Sequence, residues 1–371
     1  MSKLAIKFRS DSAGAWTLNN PTLAFGEIGM QIDSADGVAP KFKIGNGINA
    51  WNDSATKYFI NDSDQAGLGG GGGVSFTWGG VRGVWAAGDN SNVIQYITLS
   101  SLGNATDFGD ASAQRQSPAG CSDATYGLVA GGNSGATQFN SIDYFTISTT
   151  ANAADFGDMT VIRKALSALS DGTKGVFGGG YSNSGGQSYE DTIDYVTIQT
   201  TGNGTDFGNL TVARQYPTAA SGGTYGLFGG GRDASVGHVN TIDYITIASP
   251  GNAADFGDLT VSRWAAAASD VTYAVFGGGG GASNGNTIDY VAMASTGNAT
   301  DFGDLLSAVN DGTLAACGDN TKVAWGGGQV PFVGSSNVIQ YVTVQTAGNA
   351  TDFGDLLSAT VDASSLSGNA S

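Results

Sequence analysis

Apolar and polar positions alternate along most of the chain in short runs, and the runs recur. The clearest copy is Thr241-Ile242-Asp243-Tyr244-Ile245-Thr246-Ile247, followed by a polar turn and Ala254-Asp255-Phe256-Gly257-Asp258-Leu259. Period-two alternation over so few residues predicts half-buried strands. The Asp-Phe-Gly-Asp core begins at Asp107, Asp155, Asp206, Asp255, Asp301 and Asp352, with Asn in place of the last Asp once, at steps of 48, 51, 49, 46 and 51 residues. A period near fifty built from whole strand–turn–strand units predicts a repeat array.

Each repeat reads as four strands. In one copy these are a small-residue strand around Ala219–Ser221, an apolar strand over Tyr225–Phe228 that ends in three glycines, Ile242–Ile247, and Ala254–Leu259. Six such copies predict an all-β fold, a six-bladed β-propeller spanning residues 74–371. A ring must close. Leu356-Leu357-Ser358-Ala359 repeats Leu305-Leu306-Ser307-Ala308 but no blade follows it, so residues 356–366 are expected to return as the C-terminal strand of the blade begun by Gly83–Gly88. Val74–Trp78 is the rival for that slot.

Residues 1–66 do not repeat. Strands are predicted at Ile6–Arg9 and Gly29–Ile32, with turns at Asn19-Asn20-Pro21 and Gly45-Asn46-Gly47. So short a segment cannot bury a core alone and should be completed by copies of itself or by a partner. Residues 67–73, which include five consecutive glycines, predict a flexible linker.

Two resemblances attach to these residues. Phe8-Arg9-Ser10-Asp11-Ser12, Trp16, Asn20-Pro21-Thr22-Leu23, Gly26-Glu27-Ile28-Gly29, Asp33, Lys43-Ile44-Gly45-Asn46-Gly47 and Trp51-Asn52 resemble, in that order, the N-terminal domain of bacteriophage major tropism determinants and related tail fibres. Asn46 departs from that pattern, where Asp is usual, and the spacing before Trp16 is shifted. The resemblance implies a small β domain that forms a homotrimer and joins other virion tail proteins. The repeats resemble kelch repeats: Arg163, Arg214 or Arg263 leads into the small strand, a Gly-rich end follows the apolar strand, and an apolar-Asp-Tyr strand comes next. Phe108, Phe156, Phe207, Phe256, Phe302 and Phe353 take the place of the kelch outer-strand Trp.

Composition narrows the function. Glycine reaches 60 of 371 residues while apolar residues hold 40%, a balance that suits tight turns between buried strands. Against 15 Lys and Arg stand 32 acids, for a net charge of −17, nearly all of it beyond residue 73, which excludes nucleic acid as a partner. Cys121 and Cys317 fill the same repeat slot as Leu169, Ala220 and Ala268, so they are expected to be core thiols and not a disulfide. No apolar run approaches a membrane span, and the N-terminus lacks a signal-peptide core, so synthesis in a cytosol without membrane insertion is expected.

Chemistry is sparse. His238 is the sole histidine, which rules out multi-histidine metal sites. The Asp-Phe-Gly triplets lack every other element of a kinase, and no phosphate-cradling loop is present. Carboxylate pairs such as Asp155/Asp158 and Asp255/Asp258 offer Ca²⁺ as an alternative, but the sequence favours a turn cap and a solvated acid. No cofactor and no catalytic residue is expected. Variation concentrates between the second and third strands, in Asn133–Asn140, Tyr181–Asp191, Arg232–Asn240, Gly280–Asn286 and Gln329–Asn337. Their larger groups, Phe139, Tyr181, Tyr189, Arg232, His238 and Phe332, are the candidate binding rim, since loops on a rigid scaffold carry recognition. The expectation is a virion tail-fibre or receptor-binding protein that recognises a host-surface glycan or protein. A structural decoration of the tail or baseplate and a polysaccharide-degrading enzyme are the alternatives.

Overall fold

The chain divides into two compact units, Met1–Ser75 and Phe76–Ser371. The structure, a computed structural model, describes residues 81–184, 186, 188–281 and 285–368, and four strand segments of the first unit. Those segments are Phe8–Asp11, Ile28–Gln31, Lys41–Ile44 and Tyr58–Phe59. They form one sheet in chain order, the first pair parallel and the others antiparallel. The two strands expected there fall within two residues of their predicted places, whereas the 67–73 linker, both predicted turns and Val74–Trp78 lie outside the described residues.

The second unit is a six-bladed β-propeller. Each blade is a four-stranded antiparallel meander, and no helix occurs among the described residues. From axis to rim, blade 4 runs Thr218–Ser221, Tyr225–Gly229, Thr241–Thr246 and Ala254–Asp258. Blade 1 is composite. Its second to outer strands are Arg82–Gly88, Ser91–Thr98 and Thr106–Arg115, and its inner strand is Ser364–Gly368 from the far end of the propeller unit. Ser365 faces Trp85 and Leu366 faces Val84 in that closing pair. Closure by the C-terminal segment is therefore as expected, but the strand begins eight residues later than Leu356. Leu356 and Leu357 belong instead to a connector: Leu356 is buried, and the Leu357 amide donates to Gln95 Oε1 at 2.7 Å.

Two repeated devices hold neighbouring blades together. The first lies at the outer strands. Every Asp-Phe-Gly-Asp glycine has φ between 145° and 150°, in the region open to glycine. A Cβ there would meet a backbone carbonyl of the next blade's turn at 2.4–2.5 Å, and Gly354 closes the ring in the same way against Gly103. The next residue's amide donates to an Asn of that turn at 3.0–3.1 Å, from Asp110 to Asn152 through Asp355 to Asn104. The repeated motif is thus a backbone seam. The repeated phenylalanines are buried and stand edge-on to a tyrosine of their own blade, with ring centroids 5.7–6.0 Å apart.

The second device ties each connector between blades to the blade that it enters. Arg115, Arg163, Arg214 and Arg263 pair with Asp143, Asp194, Asp243 and Asp289 at 2.9, 2.8, 3.1 and 2.9 Å, all nearly or wholly buried. Burial pushes each guanidinium below its ordinary range, and the paired carboxylate opposes that shift. A hydroxyl three residues before each Arg donates to the same carboxylate, from Ser112, Thr160, Thr211 and Thr260. At the entries to blades 6 and 1 all three members change together. Leu306, Val309 and Gln340 replace them at one, and Leu357, Thr360 and Gln95 at the other. The same two blades carry Trp325 and Trp85 where their neighbours have Phe or Val. Each indole is wholly buried over a glycine of the preceding blade, Gly277 or Gly326, and donates to a backbone carbonyl at 3.0 or 3.3 Å. The ring therefore has four charged latches and two uncharged ones, the uncharged pair flanking blade 6.

Cys121 and Cys317 are buried and unbonded in inner strands, and burial pushes both thiols up. Small inner-strand residues leave a channel along the axis.

Candidate functional site

Strand direction decides which face carries what. Inner strands start at one mouth of the channel. The second-to-third loops and the connectors therefore share that mouth's face, and the other turns occupy the opposite one. This first face is where the blades differ. Blades 2, 3 and 4 extend their loops as small hairpins, Asn133–Ser134 with Thr137–Gln138, Tyr181–Ser182 with Ser188–Tyr189, and Arg232–Asp233 with Gly237–His238. Blade 6 adds Gly334–Ser335 against its long second strand. Blade 1 has only a tight turn through Asp89 and Asn90, both left-handed.

The hairpins are fixed at their roots. Gln116, Lys164 and Gln215, each following a latch arginine, exchange backbone hydrogen bonds of 2.8–3.1 Å with Asn133, Tyr181 and Arg232. Asp233 organises the blade 4 tip by accepting from the amides of Val236 at 2.7 Å and Ser235 at 2.9 Å. The Val236 bond is the main cause that holds its carboxyl below the usual range. A rigid base with a variable tip results.

The predicted rim residues take different parts. Phe139 is half-buried and its ring lies 5.2 Å from the Arg115 guanidinium, so it lids a latch. Tyr181 and Tyr189 stand edge-to-face at 5.7 Å across their hairpin. Arg232 is exposed and is the register partner of His238. His238 packs edge-on to Trp264 at 4.9 Å, and Trp264 packs on Tyr216 at 5.0 Å. Trp264 and Tyr216 were not among the rim candidates. They sit on connectors at positions where the other repeats carry unrelated residues, so no repeat signal marks them.

Phe332 is the outlier. It is fully exposed, Val333 beside it is 80% exposed, and its φ of +62° is left-handed. A bulky residue there costs on the order of 1–2 kcal/mol. Val236 at the blade 4 tip and Ile162, Val212, Leu306 and Leu357 on the connectors are also exposed on this face. Seven of the ten exposed large apolar side chains among the described residues thus share one face.

Inside the hairpins the connectors ring the channel mouth. Ser117, Ala165, Tyr216 and Asp362 occupy equivalent positions and are all left-handed, with φ of 51–55°. Their backbones bond in sequence around the axis, Ser117 N to Asp362 O at 3.0 Å, Ala165 N to Ser117 O at 3.0 Å, and Tyr216 N to Ala165 O at 2.6 Å. The mouth holds a cavity of about 110 Å³. Among the described residues no three His, Cys, Asp or Glu side chains are grouped to hold a metal.

No protein-family model and no curated protein matches this sequence. The fold defines the class, a six-bladed β-propeller with a decorated face, and the site has to be argued from its own chemistry.

Proposed function

We propose that the chain is a receptor-binding or tail-fibre protein of a bacteriophage virion. On this reading the N-terminal unit trimerises and attaches to other virion tail proteins, and the propeller turns its decorated face to a glycan or protein of the host surface. The attachment role rests on the resemblance of residues 8–52 to tropism-determinant N-terminal domains.

The observation that carries the recognition role is the blade 6 tip. A strained, fully exposed Phe332 beside an exposed Val333 contributes nothing to the core, and an apolar pair kept in water at a backbone cost suits a contact surface. The other exposed apolar groups of that face would widen the contact. Three copies on one particle would raise avidity by orders of magnitude over a single weak tip.

Purified protein should block adsorption of the parent particle to its host, and a Phe332→Asp/Val333→Asp variant, folded by circular dichroism, should block at least about tenfold less well. Absence of competition by saturating wild-type protein removes the receptor-binding role. Capture of tail or baseplate proteins through the same tip, without competition, would favour a structural decoration instead.

A further inference from the structure

The mouth of the channel carries features that the rim does not need. We propose that it is a second binding site, for a small polyhydroxylated ligand of monosaccharide size. Two buried polar atoms at this mouth, Asp362 Oδ1 and Ser167 Oγ, make no close hydrogen bond among the described residues, on residues only 9% and 8% exposed, and the Ser117 hydroxyl favours the charged form of the Asp362 carboxyl from nearby. The other carboxylate oxygen of Asp362 is held by Gln116 Nε2 at 2.8 Å, which fixes the group's orientation. The hydroxyls of Ser117 and Tyr216 stand 3.2 Å apart on the same lining. Pro118, Pro217, Ala165 and Ala265 supply apolar wall between them.

The backbone strengthens the case. Ser117, Tyr216 and Asp362 each hold a left-handed conformation that glycine would adopt without strain, in a chain rich in glycine. Ala165 shares that conformation in the same slot, so it belongs to the backbone belt, which fixes the polar side chains in advance of any ligand. Preorganised polar groups set among apolar wall residues are what a small-molecule site requires.

The chemistry narrows the class. Among the described residues no Lys or Arg lines the cavity, which disfavours an anion, and no three acidic, His or Cys side chains are grouped there to cage a metal ion. The polar groups come from the connectors entering blades 1, 2 and 4 and from the inner strand of blade 3, so four blades contribute to the spread, with the Ser117 and Tyr216 hydroxyls brought together as a pair. A compact ring with hydroxyls around its edge and C–H faces between them matches that spread. A single ammonium group does not.

This site does not rest on a role in the virion. Saturation-transfer NMR of the full chain with free hexoses, an N-acetylhexosamine and a 6-deoxyhexose should detect at least one, with a dissociation constant on the order of 1 mM. Asp362→Asn and Ser167→Ala should each weaken it, by roughly tenfold for Asp362, and Leu102→Ala, exposed on the opposite face, should leave it unchanged. No saturation transfer from any sugar at about ten times that concentration overturns the proposal, as does equal binding by both mouth variants. Butylammonium bound in preference to every sugar also overturns it. Adsorption competition without sugar binding would sink this site and leave the rim standing, and the converse result would do the reverse.

Discussion

The Arg214 latch offers a quantitative test of how the ring is held. Asp243→Gln changes the carboxylate to the residue found at the same place in blades 1 and 6, but it leaves Arg214, with no exposed side-chain surface, without its counter-charge. Removing one member of a buried pair costs about 3–5 kcal/mol. The Thr211 hydroxyl and amide, at 2.6 and 3.0 Å from the same carboxylate, are disturbed as well. For a domain of this size each kcal/mol moves the midpoint by about 2–4 °C, so the single variant should melt roughly 6–20 °C lower. Replacing the whole set, Thr211→Leu/Arg214→Val/Asp243→Gln, installs the combination that the chain already uses to enter blade 6. It should recover to within about 1–2 kcal/mol of wild type, because a neutral set carries no desolvated charge. Adding Phe228→Trp, in imitation of Trp325, should recover more. Thermal and urea unfolding followed by circular dichroism read the series. A triple variant as unstable as Asp243→Gln, or worse, refutes the interpretation of the uncharged set as a substitute latch.

Two further outcomes follow from the same geometry. Gly257→Ala places a Cβ about 2.4 Å from the Gly297 carbonyl oxygen at a φ of +149°, and should destabilise the propeller by at least about 2–3 kcal/mol in urea, whereas Gly251→Ala, with open space around it, should be nearly neutral. Burial, with a smaller push from Asp89, raises the Asp362 carboxyl above its ordinary value, against hydrogen bonds from Gln116 and Ser117 and the charge of Lys164. The folded state therefore holds that proton more tightly, and its contribution, full below the unfolded value near 3.8, is lost as pH rises through the folded one. Asp362→Asn should remove that part of the fall in stability with rising pH; an unchanged pH profile would show that the carboxyl is not perturbed.

Much of the ring was legible because the repeat states it six times. The four-strand blade, the Phe positions and the C-terminal closure all follow from period and alternation. The start of the inner strand was misplaced at Leu305 and Leu356 because both leucines look like strand residues. They anchor connectors, and the closing strand begins only at Ser364. The latches were half visible. Arg163, Arg214 and Arg263 stood out as a repeated feature, but their partners lie 26–31 residues away, and only the joint change to Val309 with Gln340 and to Thr360 with Gln95 shows that the positions interact. The rim loops were identified by their variability, while the mouth was not. Ser117, Tyr216 and Asp362 share a repeat slot without sharing an identity, and only their common backbone conformation and the ring bring them together.

Hydrogen exchange at the closing pair tests the architecture most directly. Ser364–Gly368 is bonded along its length to Arg82–Gly88, although about 280 residues separate them in the chain. Amides of 365–367 should exchange as slowly as those of the inner strands of blades 3 and 4, and truncation after residue 363 should accelerate exchange in 82–88. Full-chain protein whose last strand exchanges at the rate of an unstructured peptide, with 82–88 still protected, would contradict a ring sealed by its own C-terminal strand.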